Sequence, residues 1–590
     1  MEISRNMTNL DLAKLFRAVA AALSLEKGDN RFRIIAYERA ADAIEHSSSE
    51  VKDLWDNNEL DTLPGIGTNI ASHLDELFKT GKVRHFSQIL KSYPEALFEL
   101  LEVPGIGPKS AYKLCKALGI SSAHSALSRL EKAAKDGHIS RIEGFGKDSE
   151  SEILRSLTEF RHRDQRLLLP VASSIADEII LWMKKIPQVK QIYPLGSLRR
   201  QASTIGDVDI AVAATDAKIV ILHFIAFPKK SRVLESGVHT ASLVLPNGCQ
   251  IDLMVQPPAS FGSLLQHFTG SKHHNILLRE YALKKGLSLS EYGIKTKNSL
   301  KTFSTEEKFY GFLGLDWIPP ELREGKNEIE LARVHQLPDL VKLENIKGDL
   351  QIHSNLDVES SHDLGESTIS QLATSARALG YEYIGLTEHN PGRSNHTDTQ
   401  IIELIKRKSH EISNFNRENR SLYVFNGLEI DIQPDGRLSV PESCLDLLDY
   451  ACVSLHSSFR LPRKSMTDRV LSALNHPKVR FLAHPTARLL EEREGVELDW
   501  ETIFAFCRTH AKWLEIDAWP NRLDLPDVLV KEALSAGVKL VIDTDSHSAD
   551  HLSYMRYGIS VARRGWAKLN DIINTQSLSQ ITGTMKGGDY

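Results

Sequence analysis

Two patterns of apolar residues divide the chain. Over residues 9–45, apolar residues recur at the spacing of an amphipathic helix, with a turn at 27–30. From about residue 167, shorter apolar runs alternate with helical stretches, which predicts mixed α/β structure. In this part we predict strands at 191–197, 208–214, 231–236, 240–246 and 249–255, and helices at 260–268 and 274–286.

The last part of the chain repeats a strand-then-helix pattern. The polar segment 318–348 contains Pro and Gly and predicts a linker, which we place at 326–347. After it, β-like runs alternate with helices, which predicts a barrel-like (β/α) domain with histidines and acidic residues at the C-terminal strand ends. The runs are 381–390, 423–432, 449–458, 479–487, 513–520 and 538–547.

One short pattern is repeated in the N-terminal part. The segments "LPGIGTNIASHL" at 63–74 and "VPGIGPKSAYKL" at 103–114 each place Gly-Ile-Gly before a helix, and "IEGFGKDSE" at 142–150 is a weaker third copy. Glycines allow the tight turn, and free N–H groups at the helix start can bind a phosphate. These segments resemble helix-hairpin-helix motifs, which bind DNA backbones without reading sequence. The candidate DNA-binding residues are Gly65, Gly67, Gly105, Gly107 and Lys109.

Three carboxylates predict a metal site in the mixed α/β part. Asp207 and Asp209 point to one face if they lie on one strand, and Asp252 lies on a later predicted strand. Like charges this close need a divalent cation, and three carboxylates can hold the two metals of an in-line attack on a phosphate. Ser197 and Arg200, in the preceding Gly-Ser turn, are placed to hold the leaving phosphates. The pattern therefore predicts nucleotide transfer.

Composition narrows the class of protein further. With 590 residues the chain needs several domains, and five cysteines without a close CxxC pair argue against a zinc ribbon or a disulfide framework. The sequence contains neither a signal-peptide pattern nor a long apolar run, so we expect a cytoplasmic protein with no membrane partner. The net charge of −5 gives no global basic signal for nucleic acid, and DNA binding has to rest on local features.

The motifs together resemble family X DNA polymerases. The similarity lies in "GSLRRQASTIGDVDI", "QIDLMV", "HFTGSKHHN" and "YALKKGLSLSEYG", and the additional C-terminal domain is similar to that of the bacterial and archaeal branch called PolX. The resemblance implies gap filling in base-excision repair by a monomer that binds gapped or primed double-stranded DNA and dNTPs, with Mg²⁺ or Mn²⁺ in the polymerase site.

The resemblance also assigns roles to residues. It implies that Asp207 and Asp209 bind both metals, and that Asp252 binds the metal that activates the primer 3′-hydroxyl. His267, Phe268 and Gly270 would line the sugar pocket, with Asn275 and Arg279 near the incoming base and template. The nucleotide-binding set is Gly196, Ser197, Arg200, Gly206, His267, Phe268, Gly270, Asn275 and Arg279.

Two departures from the family pattern concern this half. Gln250 and Met254 occupy the positions where relatives commonly carry an arginine beside the third aspartate, which predicts slower polymerisation. In the first hairpin, His73 replaces the Schiff-base lysine of relatives with deoxyribose-phosphate lyase activity, and Asn69 replaces a DNA-contacting lysine. An imidazole cannot form that imine, so we expect no lyase activity by the usual route.

The C-terminal half resembles the polymerase and histidinol phosphatase (PHP) domain. The similar fragments are "GDLQIHS", "LTEHN", "GLEIDI", "SLHSS", "LAHP" and "DTDSH". The resemblance implies a distorted (β/α)7-type barrel that holds up to three metals, Mn²⁺ or Zn²⁺, for 3′–5′ exonuclease or related phosphoesterase chemistry. The implied ligands are His353, His389, Glu429, His456, His484, Asp545 and His547.

This half also departs from its family pattern. Gln351 replaces the first histidine of the usual HxH, and Glu388 stands where an aspartate is expected. The next ligand, an aspartate, could be Asp357 or Asp363, on either side of an insertion of about six residues. We therefore expect weakened hydrolysis rather than none.

The expected architecture is multidomain α/β: a helical helix-hairpin-helix N-terminal region, a nucleotidyltransferase-type palm and the PHP barrel. We place its parts at 1–85, 86–160, 161–260 (palm), 261–325 (nucleotide selection), 326–347 (linker) and 348–590 (PHP). Two alternatives stay open: a template-independent nucleotidyltransferase, and a DNA-end or gap-binding scaffold with an eroded PHP site.

Overall fold

The computed structural model describes most of the chain. The described residues are 7, 9–26, 31–45, 51–56, 60, 66–103, 106–163, 166–490 and 492–585. Within these ranges, every helix is too short or too polar to cross a membrane. The turn predicted at 27–30 lies outside the described residues.

The N-terminal region is helical, as predicted. Its apolar helix faces form two separate cores, one built from residues between 12 and 89 and the other from residues between 96 and 157. The helices are α1 (Asn9–Leu25), α2 (Arg31–Glu45), α3 (Val51–Asp56), α4 (Thr68–Thr80), α5 (Arg84–Leu90), α6 (Glu95–Leu100), α7 (Pro108–Leu118), α8 (Ala126–Lys135) and α9 (Lys147–Arg163).

A five-stranded mixed sheet follows, which we call the palm. Its strand order is β2-β4-β7-β6-β5, and its central strands β4 and β7 are parallel while the other pairs are antiparallel. The predicted strand at 191–197 ends early, because Gly196 starts a short helix. The elements are β1 (Leu167–Leu168), α10 (Leu169–Met183), β2 (Gln191–Pro194), α11 (Gly196–Arg199), β3 (Thr204–Ile205), β4 (Val208–Ala213), α12 (Ala217–Ile225), β5 (Arg232–Ser236), β6 (Thr240–Val244) and β7 (Gln250–Gln256).

The next region, which we call the thumb, packs helices against a small antiparallel sheet. Its elements are α13 (Phe261–Thr269), α14 (Lys272–Leu283), β8 (Ser288–Ser290), β9 (Gly293–Lys295), β10 (Leu300–Lys301), α15 (Glu306–Leu313) and α16 (Glu328–Arg333). The segment that we predict to be a linker is packed in place. Glu328 is fully buried and lies 2.7 Å from His274 Nδ1, and Val341 is also buried.

Parallel strands form the C-terminal barrel. Its strands are β11 (Gly348–Ile352), β12 (Tyr383–Leu386), β13 (Tyr423–Asn426), β14 (Glu429–Asp431), β15 (Ala451–Ser454), β16 (Val479–Leu482), β17 (Trp513–Asp517) and β18 (Lys539–Asp543). Only residues 427 and 428 separate β13 from β14, so these two form one interrupted strand, and the described residues contain seven barrel strands. A parallel bridge between Ile352 and Ser546 joins the first strand, β11, to the residues that follow the last strand, β18.

Helices cover the outside of the barrel. They are α17 (Ile369–Ala378), α18 (Asp398–Glu418), α19 (Glu442–Leu445), α20 (Arg463–Leu474), α21 (Trp500–Thr509), α22 (Asp527–Ser535), α23 (Met555–Arg564) and α24 (Leu578–Met585). The helix α23 also contacts the palm and thumb: Ser560 Oγ donates to Gln201 Oε1 at 2.9 Å, and Arg563 pairs with Glu321 at 2.8 Å. The barrel is therefore docked against the palm and the thumb.

Candidate active sites

The palm brings the three predicted carboxylates together. Strands β4 and β7 are parallel neighbours in which Asp209 lies directly opposite Asp252, and Asp207 comes just before β4. Burial, together with the charges of Asp252 and Asp207, raises the pKa of Asp209 to about 7. Mutual repulsion of this kind is relieved by a divalent cation with a preference for oxygen ligands.

Two further residues hold Asp252. The Gln250 amide donates to both Asp252 oxygens, at 3.1 and 3.0 Å, and Ser242 Oγ donates to Oδ1. Gln250 is one of the two positions that depart from the family pattern. Its side chain gives Asp252 a neutral amide donor in place of a cation. Ser242 was missed by sequence reasoning, because its position opposite Asp252 follows only from the register of β6 against β7.

The Gly-Ser turn lies against the carboxylate of Asp209. Gly196 begins α11 with a φ of 57°, and a Cβ at this position would lie 3.0 Å from Asp209 Oδ2. A side chain there would be strained and would press on the carboxylate, so glycine is favoured at this position. Ser197 is the second residue of α11, and Gly206 lies at the start of the loop that leads into β4.

The Arg200 guanidinium forms an ion pair and a hydrogen bond within the protein. Its Nε lies 3.1 Å from Glu324 Oε1, and its Nη1 donates to the Thr269 carbonyl at 2.6 Å. Arg564, on the barrel helix α23, lies 2.8 Å from the same Glu324 oxygen and donates to the Arg200 carbonyl at 2.9 Å. A guanidinium predicted to hold phosphates is therefore connected to the barrel through one shared carboxylate.

The remaining nucleotide-binding candidates cluster between α13 and α14. Asn275 donates to the His267 carbonyl at 2.8 Å, and the rings of His267 and Phe268 lie 4.8 Å apart. Burial and the nearby Arg279 lower the pKa of His267 to about 4, which keeps its ring neutral. Gly270 lies against Arg200, since a Cβ there would be 3.2 Å from Nη1.

The hairpin candidates are only partly within the described residues. Gly67 and Gly107 directly precede α4 and α7 with no side-chain cap, and Lys109 is exposed in the first turn of α7. Gly65 and Gly105 lie outside the described residues. The geometry leaves backbone donors at both helix starts, as a phosphate-binding hairpin needs.

His73, the residue at the lyase position, is part of an aromatic cluster. Its Nε2 lies 3.2 Å from the Tyr37 hydroxyl, and its ring stacks on His85 with centroids 5.6 Å apart. Burial and His85 lower its pKa, so the ring stays neutral. A neutral imidazole held in this way offers no amine for imine formation.

At the barrel mouth, Glu429 is the common centre of the predicted set. Its Oε2 lies 3.4 Å from His353 Nε2 and 3.2 Å from His389 Nδ1. Its Oε1 lies 3.0 Å from His484 Nε2 and 3.5 Å from His456 Nε2. Four imidazoles around one buried carboxylate bring nitrogen and oxygen donors to the spacing at which they can share a metal ion.

The predicted set is completed by Asp545 and His547, which follow the last strand, β18. Asp545 Oδ1 lies 2.9 Å from His353 Nε2. His547 Nε2 lies 3.3 Å from Asp363 Oδ2, and the other oxygen of Asp363 lies 3.4 Å from His389 Nε2. Asp363 thus reaches the histidines, whereas Asp357 accepts from the backbone N–H of Glu359 at 2.8 Å.

The charges of this mouth compensate one another. Burial favours the neutral form of His353, yet Asp545 and Glu429 raise its pKa to about 10. Burial opposes ionisation of Glu429, and the surrounding histidines nevertheless lower its pKa well below the usual value. Without a metal, a proton on His353 therefore balances part of the carboxylate charge, and a metal ion has to displace that proton.

The two departures in this half have different surroundings. Both amide atoms of Gln351 are buried and have no hydrogen-bond partner among the described residues. Glu388 instead pairs with the buried Lys408 at 2.7 Å and accepts from the Ser354 N–H at 3.2 Å, which makes it structural.

The donor set fits divalent transition metals. Among the described residues, four overlapping groups at the mouth have ligand atoms within 4.8 Å of one another, and their nitrogen and oxygen donors suit such metals. The groups are His353–His389–His547, His389–Glu429–His456, His353–Glu429–Asp545 and His362–Asp431–His456. Sequence reasoning missed His362, which lies in the loop between β11 and α17, and Asp431, which ends β14 two residues after Glu429.

The fold and the palm site define a nucleotidyltransferase of the DNA polymerase beta type. Residues 264–324 match the DNA polymerase beta thumb family, residues 7–83 the helix-hairpin-helix domain family, and residues 97–159 the SAM-like helix-hairpin-helix tandem family. These matches confirm the predicted helix-hairpin-helix regions.

Individual relatives make the assignment specific, and one of them matches nearly the whole chain. The chain is 33% identical over 587 residues to the DNA polymerase/3′-5′ exonuclease PolX of Bacillus subtilis (strain 168), covering 99% of this chain and 100% of the relative. It is 27% identical over 363 residues to DNA polymerase lambda of Arabidopsis thaliana, covering 55% of this chain and 62% of the relative. For DNA polymerase lambda of Rattus norvegicus the values are 23% over 349 residues, with 54% and 56% covered. The chain belongs to the PolX branch of family X DNA polymerases, and it is a DNA-directed DNA polymerase.

Proposed function

We propose that this polymerase fills short gaps during base-excision repair and that its barrel is a PHP-type metal-dependent 3′–5′ exonuclease. The observation that carries the proposal is the presence in one chain of two separate cation-attracting centres. One is the Asp209–Asp252 pair on adjacent strands, and the other is the imidazole–carboxylate set around Glu429. The first suits nucleotide addition and the second suits hydrolysis of a phosphodiester.

In the palm, we propose that Asp207, Asp209 and Asp252 bind Mg²⁺ or Mn²⁺ and that dNTPs are the substrates. When bound, the two metals stabilise charge on the phosphates and activate the primer hydroxyl. Gln250 and Ser242 hold the Asp252 carboxylate in place through three hydrogen bonds. Ser197 and Arg200 would hold the triphosphate, and His267, Phe268, Gly270, Asn275 and Arg279 would position the nucleoside.

In the barrel, we propose that the Glu429-centred set holds Mn²⁺ or Zn²⁺ and that Asp363 supplies the aspartate that Asp357 does not. When bound, the metals would lower the pKa of a water molecule and so supply a nucleophile at neutral pH. Because Gln351 is a poorer ligand than histidine, one metal position should be partly filled. Hydrolysis should therefore be slower than polymerisation.

For DNA, we propose that the backbone N–H groups behind Gly67 and Gly107, together with Lys109, bind phosphates of a gapped duplex. Gapped DNA with a 5′-phosphate should bind more tightly than the unphosphorylated gap, and both should weaken as salt rises. Equal affinity for the two gaps in a fluorescence titration would count against a phosphate-binding hairpin.

The deciding experiment separates the two centres. Primer extension on a one-nucleotide gap and digestion of a 3′-labelled strand are measured with Mg²⁺ or Mn²⁺ for the unaltered chain and for Asp209→Ala and Asp545→Ala. We expect Asp209→Ala to lose about 10³-fold or more of nucleotide addition and keep digestion, since metal-ion catalysis supplies most of the rate. Asp545→Ala should show the reverse.

The controls are set by the same chain. Glu178→Ala removes an exposed palm carboxylate that pairs with the exposed Lys229, and both activities should be retained. Extension that ignores the template would favour the template-independent alternative. A barrel that never digests DNA, in any metal, would favour the scaffold alternative for that half.

A further inference from the structure

A second donor group lies beside the Glu429-centred set and uses different atoms. His362 Nε2 lies 3.2 Å from Asp431 Oδ1, and His456 Nδ1 lies 2.7 Å from the same oxygen. The other nitrogen of His456, Nε2, faces Glu429 at 3.5 Å. The two ring nitrogens of His456 therefore face different carboxylates. Nδ1 faces Asp431, and Nε2, on the opposite edge of the ring, faces Glu429.

This group is more open than the Glu429-centred set. The side chains of His362, Asp431 and His456 are 35%, 21% and 15% exposed, against 1% for His353 and 0% for Glu429. Water can therefore complete the coordination of an ion held there. Two imidazole nitrogens and one carboxylate oxygen form a donor set that suits Zn²⁺, Mn²⁺ or Co²⁺ better than Ca²⁺.

The position of His362 is fixed by the fold. It lies between β11 and α17, in the insertion that separates this chain from the usual family spacing. The preceding Ser361 donates from its N–H to the Asn390 carbonyl at 2.8 Å and from its hydroxyl to Asp431 Oδ2 at 3.2 Å. The Asn390 side chain in turn accepts from the Asp431 N–H at 2.8 Å. The loop and the strand end are thus held together beside the ligand atoms.

We propose that His362, Asp431 and His456 Nδ1 bind an additional divalent transition-metal ion at the rim of the barrel. The insertion brings one imidazole to the mouth in a chain whose first strand has lost one at Gln351. The inference rests on the proposed function only in that the neighbouring Glu429-centred set also binds divalent cations. The competing explanation is that Asp431 merely orients His456, as carboxylates behind metal-bound histidines do.

The test counts metal in the full-length protein. Chains stripped with a chelator are reloaded with Co²⁺, desalted, and analysed for bound cobalt by mass spectrometry. We expect His362→Ala to bind about one equivalent less than the unaltered chain, whereas His410→Ala, which removes an exposed histidine of α18, should bind the same amount. Equal cobalt in His362→Ala and the unaltered chain would overturn the proposal.

A ligand exchange provides a second readout that does not depend on loss of binding. His362→Cys should give a new thiolate-to-cobalt charge-transfer absorption, because a thiolate at a ligand position coordinates the ion directly. His410→Cys should give none, and the native cysteines are all buried and present in both chains. Absence of the new absorption in His362→Cys would overturn the proposal even if the cobalt content had changed.

Failure of this inference can be told from failure of the proposed function. If Asp545→Ala loses cobalt and His362→Ala does not, only the rim site is wrong. If neither variant binds less cobalt than the unaltered chain, both the rim site and the metal-dependent barrel are wrong.

Discussion

The palm and the barrel mouth gather charge in opposite ways. In the palm, three groups of the same sign lie together, and burial together with their repulsion raises the pKa of Asp209 to about 7. At the barrel mouth, imidazoles alternate with carboxylates, and Asp545 and Glu429 raise the pKa of His353 to about 10 against the effect of burial. A cation therefore relieves repulsion in the palm, whereas in the barrel it has to compete with the proton on His353.

Among the variants that separate the palm from the barrel, we expect Gly196→Ala to change the rate of nucleotide addition most. The new methyl group would lie 3.0 Å from Asp209 Oδ2 on a backbone with a φ of 57°. We expect about 10²-fold slower nucleotide addition, because a displaced carboxylate no longer positions the metals, and unchanged hydrolysis by the barrel. Steady-state primer extension and 3′-end digestion measure the two.

A matched control for Gly196→Ala is Gly286→Ala. Gly286 also has a positive φ, 71°, but a Cβ there would meet nothing within 4 Å. It therefore reproduces the backbone strain without the contact. Equal losses of extension in the two variants would mean that strain, and not pressure on Asp209, is responsible.

The second effect is a difference in pH dependence between the two centres. Because a proton on Asp209 excludes the cation, the affinity of the palm for Mn²⁺ should fall about tenfold per pH unit below about 7 and be constant above it. For the barrel, the proton on His353 competes up to about pH 10, so its affinity should keep rising from pH 7 to 9.

Calorimetric Mn²⁺ titrations distinguish these profiles when one centre is disabled at a time. The double variant His353→Ala/His456→Ala removes one ligand from each of the four barrel groups and leaves the palm to be measured, and Asp209→Ala leaves the barrel. The same pH profile in both variants would contradict the contrast between repelling and compensated charges.

The third effect concerns the connection between the two halves. Arg564→Ala leaves Glu324 paired with Arg200 alone, and this should weaken the hold of Arg200 on a triphosphate. We expect KM for the incoming dNTP to rise about 2- to 5-fold with kcat nearly unchanged, as for a loss of uniform binding. Arg563→Ala is the control, since Arg563 pairs with Glu321 instead. An equal rise in KM in the control would point to general loosening of α23.

The smallest effect is expected at His73. The unaltered chain should give no borohydride-trappable adduct with an abasic 5′-end through this position, because a neutral imidazole between Tyr37 and His85 cannot form the imine. His73→Lys restores an amine for comparison. Efficient trapping by the unaltered chain would mean that another lysine reacts, and Lys79 and Lys82 would be examined next by peptide mapping.

The palm was largely predictable because its information is local. Asp207 and Asp209 lie two residues apart at a strand start, and alternation along a strand is enough to place them together. The prediction of the strand at 191–197 was too long, because Gly196 leaves the extended conformation to begin α11. Ser242, by contrast, reaches Asp252 only through the pairing of β6 with β7, which residue spacing does not encode.

The barrel mouth was predictable in its ligand types but not in its pairings. Strand-end positions identify His353, Glu429 and Asp545, since the carboxyl ends of parallel strands share one face of a barrel. The position of Asp363 beside His389 and His547 follows only from the path of the loop between β11 and α17, and its role as the ligand stays a prediction.

The sequence by itself determined the order of the domains, the helix-hairpin-helix repeats, the carboxylates of the palm and most donors of the barrel. These follow from periodicity and from short spacings within single elements. Only the tertiary structure decided that Gln250 and Ser242 hold Asp252, that Arg564 shares Glu324 with Arg200, and that His362 meets Asp431 and His456. The physical reason is that each of these contacts joins side chains on different elements, and their geometry is fixed by strand register, loop path and domain docking.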